Sequence, residues 1–190
     1  YVVKMGNYRR SSWYDETGLH WIGPSPNLRT LTSAMLYPGV GMIEASNVSV
    51  GRGTGFPFEV VGAPWIDGEQ LAAYLNRRKI NGASFIPINF RPSDDRYQAR
   101  LCHGVRIVVQ NRNDLDAPAL GIELASAIYR LYRSEFQIDK ILGMIGAPAV
   151  LKAIKDGQDP TSIERELIPS LDKFRELRAK YLLYPSTIGK

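Results

Sequence analysis

A chain of 190 residues with 44% hydrophobic and 23% charged residues is long enough to bury a core, reads as one domain with appendages, and is not composed like a disordered or fibrous polypeptide. The formal net charge is +5, but Lys and Arg are scattered rather than blocked, which argues against a nucleic-acid partner and suits an anionic small ligand. One cysteine, Cys102, excludes an internal disulfide, His20 and His103 complete no zinc ligand set, no cofactor is implied, and no apolar run approaches the roughly 18 to 20 residues that span a bilayer.

Taken in order, Tyr1–Met5 favours β-structure and has no partner of its own period nearby, which fits the last strand of a sheet lying before residue 1. With no initiator Met, signal peptide or tag, the chain reads as a piece of something longer. Residues 7–21 mix Tyr8, Trp13, Tyr14 and Trp21 with Arg9 and Arg10, either as an ordinary packed connector or as a sugar-stacking rim. Pro24-Ser25-Pro26-Asn27 is an extended turn, Thr30 to Leu36 has helical spacing stopped by Tyr37-Pro38-Gly39, and Met42-Ile43-Glu44 reads as a strand delivering Glu44 to a glycine-rich loop.

The densest chemistry in the chain lies in that loop and its flanks, residues 44 to 65. Two carboxylates, Glu44 and Glu59, accompany Arg52 and the small polar residues Ser46, Asn47, Ser49 and Thr54 on a backbone loosened by Gly51, Gly53 and Gly55. Glycines beside an arginine let main-chain N–H groups and a planar five-donor fork approach one ligand without Cβ clashes, which suits a carboxylate-bearing, hydroxyl-rich molecule. The same run also reads as two strands, Val48–Val50 and Phe56–Val61, joined by a loop that binds nothing. It is not a phosphate-binding P-loop, because no Lys-Ser/Thr pair comes after the glycines, and Pro57 keeps a dinucleotide-binding helix from opening there.

Beyond Trp65, Asp67 is positioned to cap a helix carrying Leu71, Ala72 and Leu75 and ending near Arg77, Arg78, Lys79 and Gly82. Phe85–Phe90 is a strand interrupted by Pro87, hence an edge or a bulge, and Val105–Gln110 is the clearest strand. Cys102 beside His103 raises a thiol–imidazole pair, though no orienting third group is evident and a structural role is the commoner one. The second half turns helical: residues 119–133, 148–155, and a longer helix from Thr161 or Ser162 to Tyr184, with Glu164 as capping-box partner, a break at Pro169, and Phe174, Leu177, Tyr181 and Leu182 spaced like core. Strands first and helices later give an α+β layout, a small mixed or antiparallel sheet with helices packed on it.

The runs Pro24-Ser25-Pro26-Asn27-Leu28, Tyr37-Pro38-Gly39, Glu44-x-x-Asn47-Val48-Ser49-x-Gly51-Arg52-Gly53-Thr54, Pro57-Phe58-Glu59, Gly62-Ala63-Pro64-Trp65 and Tyr181-Leu182-Leu183-Tyr184 closely resemble the C-terminal half of the bacterial NamZ-like proteins. That family, long of unknown function, is associated with exo-β-N-acetylmuramidase activity. The resemblance implies that residues 1–22 are the last strand and connector of an absent Rossmann-like N-terminal domain, and residues 23–190 an auxiliary α+β domain. The family's upstream Pro-Glu-His-Gly and Asp-Arg-Pro-Asn-Pro motifs do not occur in this sequence. It further implies release of a terminal N-acetylmuramic acid from peptidoglycan by the complete protein, in the periplasm or outside the cell with the cytoplasm left open, while this half alone is inactive. A non-catalytic glycan-binding or structural module is the alternative.

On that resemblance the partners are a muramic-acid-containing glycan and the N-terminal domain. Arg52 would grip the lactyl carboxylate through two parallel hydrogen bonds, with Asn47, Ser49, Gly53 and Thr54 completing the substrate contacts. Glycosidases commonly use two carboxyl groups. Glu44 is the candidate for one of them or for a substrate contact, unless it only accepts hydrogen bonds from the glycine-rich loop, and Glu59 is expected to brace Arg52 or a neighbouring strand.

Overall fold

The fold is taken from a computed structural model that describes residues 1–184; residues 185–190 of the expected 23–190 domain lie outside them. Four helices begin on an oxygen-bearing side chain that accepts an otherwise orphaned backbone N–H. Thr30 accepts from Ser33 to open α1 (Leu31–Val40), and Asp67 accepts from Gln70 to open α2 (Gly68–Arg77). Asp116 accepts from Ala119 to open α3 (Ala117–Leu131). After the short α4 (Leu142–Ile145) and α5 (Pro148–Lys155), Asp159 accepts from Thr161 at the start of α6 (Pro160–Ala179). Strands β1 (Val60–Ala63), β2 (Ala83–Phe90) and β3 (Cys102–Val109) make an antiparallel sheet in the order β1-β3-β2. Pro87 therefore sits on an edge strand, where a missing donor is tolerated. The result is α+β with a helical second half.

Helix α2 lies on β2 and β3, and α3 packs against α1, α2, α5 and α6. Leu36, Val40, Phe58, Leu71, Leu75, Ile107, Leu120, Leu124 and Ile128 form one apolar cluster at 0–1% exposure, each worth about 1.5–3 kcal/mol of burial. The crossing of α1 and α3 is set by two glycines. A Cβ on Gly39 would lie 1.9 Å from the carbonyl oxygen of Ala117, and one on Gly121 2.6 Å from the carbonyl oxygen of Gly39. At the C-terminal end of α2, Arg78 grips Glu123 of α3 through two nitrogens, at 2.9 and 2.8 Å, and reaches Asp159 at 2.8 Å. One guanidinium thus neutralises the buried Glu123 and pins three helices together.

Several expectations are corrected. Pro38 does not stop α1, which continues to Val40, because only the hydrogen bond Pro38 would have donated is lost while the glycine crossing holds the last turn against α3. Met42-Ile43-Glu44 is accordingly no strand: Gly41–Ile43 extends α1 as a 3-10 turn. Helix α6 starts at Pro160 under the Asp159 cap rather than at Thr161 or Ser162 with Glu164 in a capping box, runs unbroken through Pro169, and ends at Ala179. Its residues Phe174 and Leu177, and Tyr181 and Leu182 just beyond it, are 37–76% exposed, so their helical spacing marks an apolar stripe and not core of this unit.

Tyr1–Met5 forms no strand with the described residues, and its apolar side chains are exposed. The connector aromatics do pack: the Trp13 indole donates to Asn113 at 2.9 Å, Arg112 lies over the Trp13 ring and pairs with Asp15 at 2.7 Å, and Tyr8 meets Tyr184 edge to face at 5.0 Å.

The tight α1–α3 crossing makes Gly39→Ala costly. It is expected to lower the unfolding free energy by about 2–3 kcal/mol through overpacking, measured by urea denaturation. Gly143→Ala, with nothing within 4 Å of its new Cβ, is expected to stay within about 0.5 kcal/mol of the parent.

Candidate functional site

The glycine-rich run folds as a loop whose polar side chains hold their own backbone. The Ser46 hydroxyl donates to the Ile43 carbonyl at 2.6 Å, Ser49 accepts from the Gly51 N–H at 3.3 Å, and Thr54 donates to the Gly51 carbonyl at 2.6 Å while accepting from the Phe56 N–H at 3.0 Å. Asn47 spans to another segment, donating to the Glu135 carbonyl and accepting from the Gln137 N–H, both at 2.8 Å. The strand expected at Val48–Val50 reduces to one bridge, Ser49 opposite Gly62, and only Val60–Ala63 continues as a strand. Gly51 and Gly53 take positive φ, and so does the buried Phe58, at 62°.

A second loop, residues 91–101, is laced to the first. Both the N–H and the hydroxyl of Ser93 donate to the Gly53 carbonyl, at 2.7 and 2.9 Å. A Cβ at residue 53 would stand 2.6 Å from the Asp94 nitrogen, so only glycine admits this approach. The Tyr97 hydroxyl donates to the Asn47 carbonyl at 2.7 Å and accepts from the Trp65 indole at 3.1 Å. Asp95, Tyr97 and Ala99 all occupy the left-handed region, at φ 61°, 62° and 59°. Non-glycine residues enter it at a cost, which the surrounding hydrogen bonds must over-determine.

Arg52 turns toward its own chain. Its Nε donates to Glu44, Asp95 lies 3.8 Å from the same nitrogen, and the guanidinium sits 5.2 Å from the centre of the Phe58 ring, itself edge-to-face with Tyr37 at 4.9 Å. The hydrogen bond to Glu44 raises the guanidinium pKa above its ordinary value against the opposing effect of burial. The Arg52 side chain is 30% exposed, so part of the fork still meets solvent.

Gly53 and Thr54 instead line a hollow of about 630 Å³ with Asn27, Arg29, Asn89, Arg91, Ser93 and Asp94, while Phe56, Ile88 and Phe90 supply apolar wall. Arg29 uses Nε on the Pro26 carbonyl, and Arg91 one terminal nitrogen on the Ala99 carbonyl. Two planar forks so anchored, with amides, hydroxyls and ring faces around them, can hold a carboxylate and stack a sugar.

Of the site residues expected from sequence, the structure brings Gly53 and Thr54 to the hollow, pairs Glu44 with Arg52 beside it in the chain, and engages Asn47 and Ser49 with backbone. Glu59 does not reach Arg52. It accepts from Thr30 and Ser33 at the start of α1, at 3.0 and 3.3 Å, and faces Arg106 of β3 at 3.8 Å. His103 bonds Asn89 at 2.6 Å rather than a thiol, and burial pushes Cys102 up to about 11, so no thiol–imidazole nucleophile forms. Arg29, Asn89, Arg91 and Asp95 were not foreseen. The one sequence signal was the polar run Arg91 to Tyr97 between two strands. Among the described residues, no three His, Cys, Asp or Glu side chains converge as a metal site, and no helix is long and apolar enough to cross a membrane.

Comparison with known proteins gives consistent matches. Residues 35–184 match the family model described as exo-beta-N-acetylmuramidase NamZ, C-terminal, and residues 1–32 its N-terminal counterpart. Peptidoglycan beta-N-acetylmuramidase NamZ of Bacillus subtilis is 35% identical, in an alignment covering 96% of this chain and 45% of the relative. A DUF1343 family protein from Bacteroides fragilis superimposes with a TM-score of 0.83 at 25% identity, over 93% of this chain and 48% of the other. A second DUF1343 family protein from that organism does so at 0.62 and 23%, over 87% and 44%. The chain thus spans a little under half the length of these relatives.

The lacing of the two loops is tested by Tyr97→Phe. Leaving the Asn47 carbonyl and the Trp65 indole without their partner is expected to cost about 1–2 kcal/mol in urea denaturation, with faster amide exchange across residues 91–101.

Proposed function

The chain belongs to the NamZ exo-β-N-acetylmuramidase family, and from that premise we propose that it is the cleft-forming auxiliary part of a longer peptidoglycan glycosidase that removes terminal N-acetylmuramic acid. The observation that carries this reading is the hollow at Gly53 and Thr54, where Arg29 and Arg91 flank amide, hydroxyl and aromatic groups. N-acetylmuramic acid differs from N-acetylglucosamine by a lactyl carboxylate, the group that a guanidinium fork recognises with two parallel hydrogen bonds. Arg29 and Arg91 take that role, Thr54 and the Gly53 backbone contact the sugar, and Glu44 holds Arg52, the residue before Gly53. Asn47 and Ser49 shape the loop.

The auxiliary role is supported by the apolar stripe of α6. Leu171, Phe174 and Leu177, each 44–56% exposed, continue the face on which Ile163 is buried, and such a stripe calls for a cover. The Tyr184 hydroxyl accepts from the Met5 N–H at 2.8 Å, so the polypeptide just beyond α6 lies beside residues that match the family's N-terminal model. An N-terminal unit seated there would close the cleft and supply the carboxyl groups that glycoside hydrolysis requires. On this proposal the protein acts in the periplasm or outside the cell, with the cytoplasm left open. The internal engagement of Asn47, Ser49 and Thr54 favours a second reading, a structural module whose loop only stiffens the domain.

Calorimetric titration of this chain and of a longer form carrying the N-terminal unit, with N-acetylmuramic acid and with N-acetylglucosamine, separates the two. Muramic acid is expected to bind at least tenfold more tightly, and Arg29→Gln or Arg91→Gln to remove most of that preference. Equal affinity for the two sugars, or a preference untouched by both variants, overturns the assignment. In the longer form Glu44→Gln is expected to change affinity no more than twofold. A large fall in turnover at constant affinity would make Glu44 one of the reacting carboxylates.

A further inference from the structure

The wall of the hollow that carries Pro26, Asn27 and Arg29 is a turn held together largely by itself. The Leu28 N–H donates to the Ser25 carbonyl at 3.0 Å, Arg29 Nε to the Pro26 carbonyl at 2.7 Å, and the Trp21 indole to the Leu28 carbonyl at 3.3 Å. Among the described residues, one hydrogen bond of residues 25–30 leaves the segment 21–34: the Thr30 hydroxyl donates to Oε1 of Glu59 at 3.0 Å. The Ser33 hydroxyl reaches the same oxygen at 3.3 Å. Apart from the packing of Leu28 on the core, Glu59 is therefore what ties the Arg29 wall to the glycine-rich loop.

The other oxygen of this carboxylate serves a second wall. Oε2 faces a terminal nitrogen of Arg106 at 3.8 Å, and the Arg106 guanidinium lies 4.1 Å over the centre of the Phe56 ring, which lines the hollow. A guanidinium covering one face of a ring leaves the other for a sugar and fixes the tilt at which it is presented. The Glu59 N–H also donates to the Phe56 carbonyl at 3.1 Å.

Glu59 is buried and lines no part of the hollow itself. A buried carboxylate is a costly way to fill space. What this one provides is a single acceptor group reached from two walls at once.

We propose that Glu59 is a positioning residue of the hollow, holding Arg29 through Thr30 and Ser33 and the Phe56 ring through Arg106, and so sustaining its selectivity for a carboxylate-bearing sugar. This rests on the reading of the hollow as a muramic-acid site. A recognition fork displaced by a fraction of its hydrogen-bond length loses its advantage for the carboxylate, whereas a loosened ring weakens every sugar alike.

The two arms are separated by Glu59→Ala, Glu59→Gln and Arg106→Gln, each shown to fold by thermal unfolding and titrated with N-acetylmuramic acid and N-acetylglucosamine in both forms of the protein. Glu59→Gln keeps an oxygen for Thr30 and Ser33 but loses the charge facing Arg106. It is expected to retain the preference for muramic acid while both sugars bind about two- to fivefold more weakly, as in Arg106→Gln, and the two changes together are expected to cost no more than either alone. Glu59→Ala is expected to lower the preference itself at least about fivefold. Thr30→Ala, at an exposed position, cuts the same tie from the other end and is expected to lower the preference too, which decides the matter even where Glu59→Ala does not fold. A carboxylate that only supported the fold would not divide Gln from Ala in this way. An unchanged preference in folded Glu59→Ala or Thr30→Ala, or a Gln variant that loses as much preference as Ala, overturns the proposal.

Should the parent bind the two sugars equally, or neither, it is the muramic-acid reading that fails. The role of Glu59 is then decided by amide exchange at residues 27–30 of the ligand-free chain. Faster exchange in Glu59→Ala with the parent rate kept in Glu59→Gln supports it, and exchange unchanged in Glu59→Ala, or equally fast in both, overturns it.

Discussion

The candidate site depends on one close approach, the Gly53 carbonyl meeting the N–H and hydroxyl of Ser93 with no side chain between the loops. Once that contact is made, Asp94 and Ser93 are brought to the wall of a hollow whose floor belongs to a different part of the chain. The left-handed Asp95 and Tyr97 then become tolerable, because Tyr97 is anchored at both the Asn47 carbonyl and the Trp65 indole. A loop that closed on its own would have no reason to hold such conformations.

Two kinds of surface divide the molecule. Around the glycine-rich loop, polar groups are satisfied within the chain, and guanidinium, amide and ring groups line the hollow beside it. Along one face of α6, Leu171, Phe174 and Leu177 are displayed between the helix's charged residues. The first arrangement suits a hydrated, charged small molecule that must arrive and leave. The second suits a permanent neighbour, since apolar area is most effective where water is excluded for good.

Much of the fold was legible in local pattern. Helix α2 was announced by the Asp67 cap and the Leu71, Ala72, Leu75 spacing, α5 by Pro148 at its start and Gly157 at its end, and the edge position of β2 by Pro87. Where local and long-range signals conflict, pattern misleads. The Pro38-Gly39 pair reads as a helix stop, yet Gly39 is the contact that lets α3 approach. Phe174 and Leu177 have the period of buried residues, and period cannot distinguish a core from a face awaiting a partner. At the site, composition exposed the glycine-rich run but not its consumption by its own backbone. Arg29 and Arg91 lie far apart in sequence and come to line one hollow only through the fold, so no spacing rule could pair them.

Cys102 occupies the first position of β3, at 0% exposure and with its thiol held protonated well beyond neutral pH. The chain's sole sulfhydryl is therefore chemically silent in the native state. A cysteine introduced at any surface position would be the one handle available to a maleimide dye or spin label. The separation of α6 from the glycine-rich rim is thus open to spectroscopic ranging in an otherwise native background.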